Sequence, residues 1–177
     1  MKTKSGLKWL AGAVVLLVLA ATNVSIYHKE QLLKHGAVVI LELAPVDPRS
    51  LMQGDYMALN YALVQPLQQG LYEQGETCRT TGEQCLPSNG KLVVTLDEQR
   101  RAVSAVMNKG QPLHKQERLL QYHLSGARLN IGTPSYFFQE GHAERFEKAR
   151  YGEFRVADDG TALLTYMLDE KGARILP

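Results

Sequence analysis

The sequence predicts a single N-terminal transmembrane helix followed by a β-rich (α+β) extracytoplasmic domain, mostly antiparallel strands with one or two short helices. Two observations predict this fold class. Residues 9–26 form an uncharged apolar stretch, and residues 36–177 contain short apolar runs separated by Gly, Pro and Asp. With 177 residues, of which 45% are hydrophobic and 21% charged, the chain has room for one ordinary domain. That composition excludes collagen, coiled coils and fully disordered chains.

The transmembrane helix is predicted from the stretch WLAGAVVLLVLAATNVSI at residues 9–26. At 1.5 Å per residue this length approaches the hydrocarbon core of a bilayer, about 30 Å thick. Lys2, Lys4 and Lys8 precede the stretch and favour a cytoplasmic N-terminus. We therefore expect a cytoplasmic segment at residues 1–8, a transmembrane anchor at 9–26, a helical stalk at 27–35 and the extracytoplasmic domain at 36–177.

A cleaved signal peptide is the alternative interpretation of the N-terminus. The basic start, the apolar stretch at residues 10–20 and the small residues at 20–22 all match such a peptide. Cleavage would release residues 36–177 as a secreted soluble binding domain. A helical pattern continues past the bilayer through Tyr27, Leu32 and Leu33 as far as Gly36, where a signal peptide has a short polar region. This continuation favours a retained anchor.

The two cysteines, Cys78 and Cys85, lie on the side of the membrane that the lysines assign to an oxidising compartment. We expect a disulfide between them. Closing a loop of about eight residues would stabilise the fold by roughly 2–3 kcal/mol. The alternatives are free structural thiols and a redox or metal role. A metal site would need CxxC-like spacing or nearby histidines, and this segment has neither.

The distribution of charge argues against a nucleic-acid partner. Five of the 20 Lys and Arg residues lie in the first 35 residues, where Glu30 is the only acid. The remaining domain is therefore slightly acidic, and it has no electrostatic reason to hold a polyanion.

The first part of the domain reads as two strands joined by a turn. Residues 37–45 (AVVILELAP) form a β-branched apolar run that ends at a proline. Residues 48–54 predict a short helical turn, and residues 56–64 (YMALNYALV) predict a second strand. Alternation puts one set of its side chains towards the core: Met57, Leu59, Tyr61 and Leu63.

The rest of the domain begins with a polar stretch at residues 65–90, long enough to be a functional loop or a tolerated insertion. Further strands are predicted at residues 91–96, 102–107 and 118–124, and Tyr136, Phe137 and Phe138 are expected to avoid water. A short helix follows at about residues 142–150, with Ala143, Phe146 and Ala149 on one face. The last predicted element is a hairpin of residues 152–157 and 162–168, turned at Asp158–Gly160.

Residues 54–61 carry a motif, Gly54-Asp55-Tyr56-Met57-Ala58-Leu59-Asn60-Tyr61. They match the GDYxxLxY signature, so the chain resembles a family of bacterial membrane-anchored proteins that bears this name. The signature positions are Gly54, Asp55, Tyr56, Leu59 and Tyr61. Three further segments are also similar to the family: PVDPR at residues 45–49, Tyr136-Phe137 and Glu140-Gly141. The resemblance extends over most of the chain, from the anchor to the last hairpin.

The resemblance implies a location and a kind of partner, because the family has no established activity. It implies a single-pass protein of the bacterial cytoplasmic (inner) membrane that associates with a multi-spanning membrane protein or another envelope protein. The stretch at residues 65–90, with its cysteine pair, departs from the family pattern. No family role is therefore carried onto it.

The residues around the motif suggest a binding site. A sharp turn is expected to bring four residues together: Asp47, Arg49, Asp55 and Tyr56. Arg49 would then form an ion pair with Asp47 or Asp55. We expect this polar cluster to contact a ligand or partner. The alternative is a purely structural motif, in which Gly54 turns the chain, Asp55 bonds to the backbone, and Leu59 and Tyr61 fill the core.

An enzyme is a weaker interpretation, and we expect no catalytic residues, cofactor or metal. A membrane-anchored serine hydrolase would have to use Ser50 or Ser104 with Lys91 or Lys109 as the base. Signal peptidases share a Gly-Asp turn, but the residue at their nucleophile spacing here is Val46, which cannot attack a carbonyl. Two acids lie beside His142, namely Glu140 and Glu144. Their position at the start of a predicted helix suits the helix dipole better than a metal.

Overall fold

The computed structural model describes residues 3–44, 56–70, 87–125, 128–139 and 141–176. The chain divides into two units, Met1–His35 and Gly36–Pro177. This division agrees with the predicted fold class of one apolar N-terminal helix followed by a β-rich domain.

The first unit is one helix, α1 (Thr3–His35), which runs without a break through the predicted anchor and stalk. Its large apolar side chains are exposed, as Leu16 and Leu17 illustrate at 70% each. Two of its polar side chains bond inside the helix, because Thr22 Oγ1 donates to Val18 O and Asn23 Nδ2 donates to Leu19 O, both at 2.8 Å. Internal bonding of this kind suits a helix in lipid, where water cannot satisfy polar groups. Residues Lys8–His35 are long and apolar enough to span a membrane, a property that a signal sequence shares.

The second unit, within its described residues, consists of strands and a few helical turns. The strands are β1 (Ala37–Glu42), β2 (Tyr56–Ala58), β3 (Asn89–Leu96), β4 (Ala102–Met107), β5 (Glu117–Ser125), β6 (Arg128–Ile131), β7 (Ser135–Phe137), β8 (Tyr151–Val156), β9 (Ala162–Leu168) and β10 (Arg174–Ile175). A 3₁₀-helix (Ala62–Val64) continues into helical residues 65–70, and α2 (Ala143–Phe146) follows β7.

The strands form three antiparallel groups, ordered β1-β8-β9-β10, β4-β3-β5-β6 and β2-β7. Hydrogen-bonded contacts between described residues connect the larger sheets. Ile40 of β1 forms an isolated parallel bridge with Arg101, next to β4. At a second point Gln121 N of β5 donates to Gly160 O, in the turn between β8 and β9, at 2.9 Å. The two sheets therefore share one folded domain.

The core is built from alternating side chains of these strands, as a pleated sheet with one buried face requires. Its buried members include Val39, Leu41, Leu92, Val94, Leu120, Tyr122, Leu129, Ile131, Phe146 and Phe154. Phe146 is fully buried, with its ring centroid 5.1 Å from that of Tyr136 and 5.2 Å from that of Phe138. The short helix α2 thus delivers one aromatic side chain to the core.

Several predicted elements are present in the structure. Strand one appears as β1, and the runs at 91–96, 102–107 and 118–124 appear as β3, β4 and β5. The hairpin is β8–β9, with Gly160 at a φ of +91° in its turn. The predicted turn at residues 48–54 lies outside the described residues.

The prediction of a strand over residues 56–64 is wrong in its second half. β2 ends at Ala58, and Ala62–Val64 form the 3₁₀-helix. The following residues, Gln65-Pro66-Leu67-Gln68-Gln69, suit a helix, since Pro is tolerated in a first turn and Gln and Leu have good helix propensity. The predicted core face is nevertheless largely correct, because Met57, Leu59 and Tyr61 are buried and Leu63 is half-buried.

Two smaller predictions also differ from the structure. The helix expected at 142–150 is only one turn, since Arg150 N already donates to Leu168 O and so belongs to the sheet pairing. Phe137 was expected to avoid water, yet it is 75% exposed. Strand alternation explains this difference, because its neighbour Tyr136 takes the inward position against Phe146.

Candidate functional site

The predicted polar cluster is described only in part. Asp47, Arg49 and Asp55 lie outside the described residues, as does Gly54 of the motif, so their roles stay predictions. The same holds for the disulfide between Cys78 and Cys85. Tyr56, Leu59 and Tyr61 are described, and these three signature residues show which surfaces the motif contributes to.

Tyr56 lies on the surface of the small β2–β7 sheet. It pairs in register with Phe137, and the two ring centroids are 5.8 Å apart. Tyr56 is 38% exposed, whereas the next residue, Met57, is buried. The alternation of the strands therefore places an aromatic pair, Tyr56 and Phe137, on the outer face of this sheet.

Tyr61 has the opposite environment. It is buried, its hydroxyl donates to Thr133 O at 2.7 Å, and its ring meets Phe154 edge to face at 5.8 Å between centroids. Burial raises the pKa of the Tyr61 hydroxyl well above its usual value. The phenol is therefore a neutral hydrogen-bond donor at physiological pH.

A cavity of about 720 Å³ lies beside Tyr61. The motif contributes three consecutive residues to its lining, Leu59, Asn60 and Tyr61, and all four residues of β6 border it. The remaining lining residues are Ala44, Val64, Gln65, Gln68, Gln69 and Pro134. A volume of this size is typical of ligand pockets, which span about 300–1,000 Å³.

The lining has an apolar floor and a polar rim. The floor consists of buried side chains: Ala44, Leu59, Tyr61, Val64, Leu129 and Ile131. The rim carries exposed or half-buried polar side chains: Asn60, Gln65, Gln68, Gln69, Arg128 and Asn130. Arg128 Nη2 donates to Asn60 Oδ1, which links β6 to the motif. Among the residues that the structure describes, the lining contains one cation and no carboxylate, a composition that favours ligands with hydrogen-bond acceptors and negative charge.

The residues considered for a hydrolase do not form a Ser–Lys pair where they are described. Ser104 lies opposite Thr95 on the neighbouring strand, while Lys91 lies opposite Gln121. Lys91 and Thr95 are four positions apart along β3, a distance of about 13 Å. Lys109 follows β4, five residues beyond Ser104, and Ser50 lies outside the described residues.

The rim of the cavity was not predicted from the sequence. Asn60 lies inside the motif, between Leu59 and Tyr61. A polar helix face is indicated by Gln65, Gln68 and Gln69, but only if the predicted strand ends early. No local pattern indicates Arg128, because it reaches Asn60 only through the sheet pairing that places β6 beside the motif.

Comparison with known protein families gives a match to the model described as GDYXXLXY protein, over residues 18–167. The comparisons with curated proteins and with solved structures give no match.

Proposed function

Because the chain belongs to the GDYXXLXY protein family, we propose that it is a membrane-anchored, non-enzymatic accessory module. In this proposal α1 stays in the bacterial inner membrane and holds the β-rich domain outside the cytoplasm. There the domain binds another membrane or envelope protein, and a multi-spanning membrane protein is the partner that we expect.

The retained anchor is supported by α1 and its flanking charges. The helix is long and apolar enough to span a bilayer, and Lys2, Lys4 and Lys8 precede its apolar stretch at residues 9–26. The continuous helix to His35 also supports retention, since it extends beyond the length that the hydrocarbon core requires.

The observation that carries the binding role is the exposed aromatic pair of Tyr56 and Phe137. Phe137 leaves three quarters of its surface in solvent, and its ring pairs with that of Tyr56, a residue of the family signature. Large aromatic side chains are enriched at the centres of protein interfaces, where their burial contributes much of the affinity. Asp47, Arg49 and Asp55 precede Tyr56 within ten residues, and we include them in the proposed surface.

Photo-crosslinking in cells tests this surface. A photoreactive phenylalanine analogue in place of Phe137 is expected to form an adduct with one membrane protein, and Tyr56→Ser is expected to weaken that adduct. The same analogue in place of Val103, which is 62% exposed on β4, serves as the matched control. Identical adducts from both positions, or no adduct with a membrane protein from position 137, would contradict the proposal.

The second candidate is a secreted soluble binding domain, favoured by the features that α1 shares with a signal sequence. Cell fractionation and N-terminal sequencing separate the two. A chain that starts before residue 9 and sediments with membranes supports the anchor, whereas a soluble chain that starts after residue 20 supports cleavage.

A further inference from the structure

The cavity beside the motif lies along the edge of a sheet. In the order β4-β3-β5-β6, β6 comes last, and its described neighbour in the sheet is β5. Side chains alternate along a strand, so a cavity that faced only one side of β6 would contact every second residue. All four residues from Arg128 to Ile131 border this cavity instead. The backbone edge of β6 therefore faces the cavity.

The side chains around that edge match the chemistry of a peptide backbone. Five lining residues are amides: Asn60, Gln65, Gln68, Gln69 and Asn130. An amide side chain both donates and accepts hydrogen bonds, as a peptide group does. An exposed strand edge offers the same two groups in a fixed order, which is the basis of strand addition by extended peptides.

The size of the edge limits the length of the ligand. Four residues of β6 extend over about 13 Å, which a peptide of about four residues in extended conformation matches. The apolar floor, with Leu129 and Ile131 from β6 itself, would receive every second side chain of that peptide. The cavity of about 720 Å³ has room for such a segment.

The charge of the lining selects among peptides. Arg128 is the charged residue among the described residues of the lining, and its bond to Asn60 uses one nitrogen of the guanidinium. A guanidinium has five N–H donors, so others remain for a carboxylate. No Asp or Glu is among the described residues of the lining, so these residues offer a basic peptide no counter-charge.

We propose that this cavity binds an extended acidic peptide segment of a partner protein, added as a strand to the edge of β6 that faces the cavity, with its carboxylate on Arg128. This inference rests on the proposed function, because it assumes a protein partner, and it names the mode of recognition. It assigns the second half of the motif to ligand binding: Leu59 and Tyr61 form part of the floor, and Asn60 orients Arg128.

A peptide selection tests the proposal with the full chain in lipid nanodiscs. A library of displayed random hexapeptides is expected to yield sequences with Asp or Glu among β-branched residues. Arg128→Gln is expected to weaken the selected peptide about tenfold, the effect of one charge-assisted hydrogen bond. Asn130→Asp is expected to weaken it as well, by repelling the carboxylate, while Arg145→Gln on α2, outside the cavity lining, should leave the affinity unchanged.

Backbone methylation of the selected peptide separates strand addition from side-chain binding alone. An analogue methylated on alternate backbone nitrogens cannot donate to a strand edge, and we expect binding to be lost in at least one of the two possible registers of methylation. The proposal is overturned by a selection that yields no acidic sequence, by equal affinity for Arg128→Gln, or by full binding of both methylated analogues.

The result also separates this inference from the proposed function. If the adduct from position 137 forms in cells but no acidic peptide binds, the accessory role stands and the strand-addition site is wrong. If the peptide binds as expected but no membrane protein is crosslinked, the cavity is a peptide site and the proposed partner class is wrong.

Discussion

At the scale of single residues, the two tyrosines of the motif have opposite roles. Tyr56 is exposed beside Phe137, whereas Tyr61 is buried with its hydroxyl on Thr133 O. Alternation in the sequence predicts the buried position of Tyr61, and the structure confirms it. The exposure of Phe137 was not predicted, because a run of three aromatic residues gives no sign of which one faces outward.

Gly132 illustrates how one residue is fixed by its surroundings. Its φ is +56°, and a Cβ added there would lie 2.7 Å from Phe154 Cε1. Gly110 also has a positive φ, +83°, but a Cβ there would have nothing within 4 Å. We expect Gly132→Ala to lower the free energy of unfolding by at least about 1 kcal/mol more than Gly110→Ala, because overpacking adds to backbone strain.

Urea unfolding of the two variants in detergent micelles, followed by near-UV circular dichroism, measures this difference. Gly110→Ala controls for the strained backbone, since it lacks the contact with an aromatic ring. Equal losses of stability in both variants would mean that Phe154 moves aside without cost.

At the scale of elements, the β8–β9 hairpin is the one that the sequence predicts best. Its Asp-Asp-Gly turn supplies the positive φ at Gly160, and the residues on both sides alternate. The short strands β6 and β7 were not predicted, because strands of four and three residues are too short for a pattern to show. Their positions depend on pairing with β5 and β2.

The turn of this hairpin predicts a dependence of stability on pH. Asp159 accepts hydrogen bonds from the backbone N–H of Thr161 at 2.8 Å and from its hydroxyl at 3.0 Å. These bonds, the backbone one first, hold the pKa of the Asp159 carboxyl below its usual value of 3.8. The folded state therefore binds this proton less tightly than the unfolded state. The stabilisation is present above about pH 5 and is lost as the pH falls through the folded-state pKa.

Asp159→Asn tests this dependence. The difference in the free energy of unfolding between the native chain and the variant should be largest above about pH 5 and should shrink towards pH 3. We expect it to stay below about 1 kcal/mol, because the carboxylate is exposed. Thr161→Val removes one of the two donors and should lower the stabilisation above about pH 5 only in part. A difference that is constant from pH 3 to pH 7 would contradict the assigned cause.

At the scale of the whole molecule, the sequence predicts the two units but not how the strands are ordered. The apolar helix and the β-rich composition are local features, and both are confirmed. Sheet order depends on pairs of residues far apart in the chain, such as Ile40 with Glu153, and one sequence does not reveal them. The cavity was missed for the same reason, since Asn60 and Arg128 meet only after the sheets form.

Cysteine labelling tests the proposed topology of the whole chain. In a background with Cys78 and Cys85 changed to serine, Lys171→Cys should react with a membrane-impermeant maleimide on intact cells, because residue 171 is exposed in the domain. Ser5→Cys should react only after lysis. In the native chain, the two cysteines should react only after reduction if they form the predicted disulfide. Labelling of residue 5 on intact cells would show that the chain has the opposite orientation.

The pairing of β1 with β8 determines when the domain completes its fold. Arg155 Nη1 donates to Gly36 O across 119 residues of chain, and the strand that follows Gly36 has its sheet partner near the end of the sequence. Contacts between such distant residues slow folding, since a long loop must close before they form. During synthesis β1 therefore lacks its partner strand, with Val39 and Leu41 uncovered, until β8 has been made. In that interval we expect the nascent chain to depend on holding chaperones.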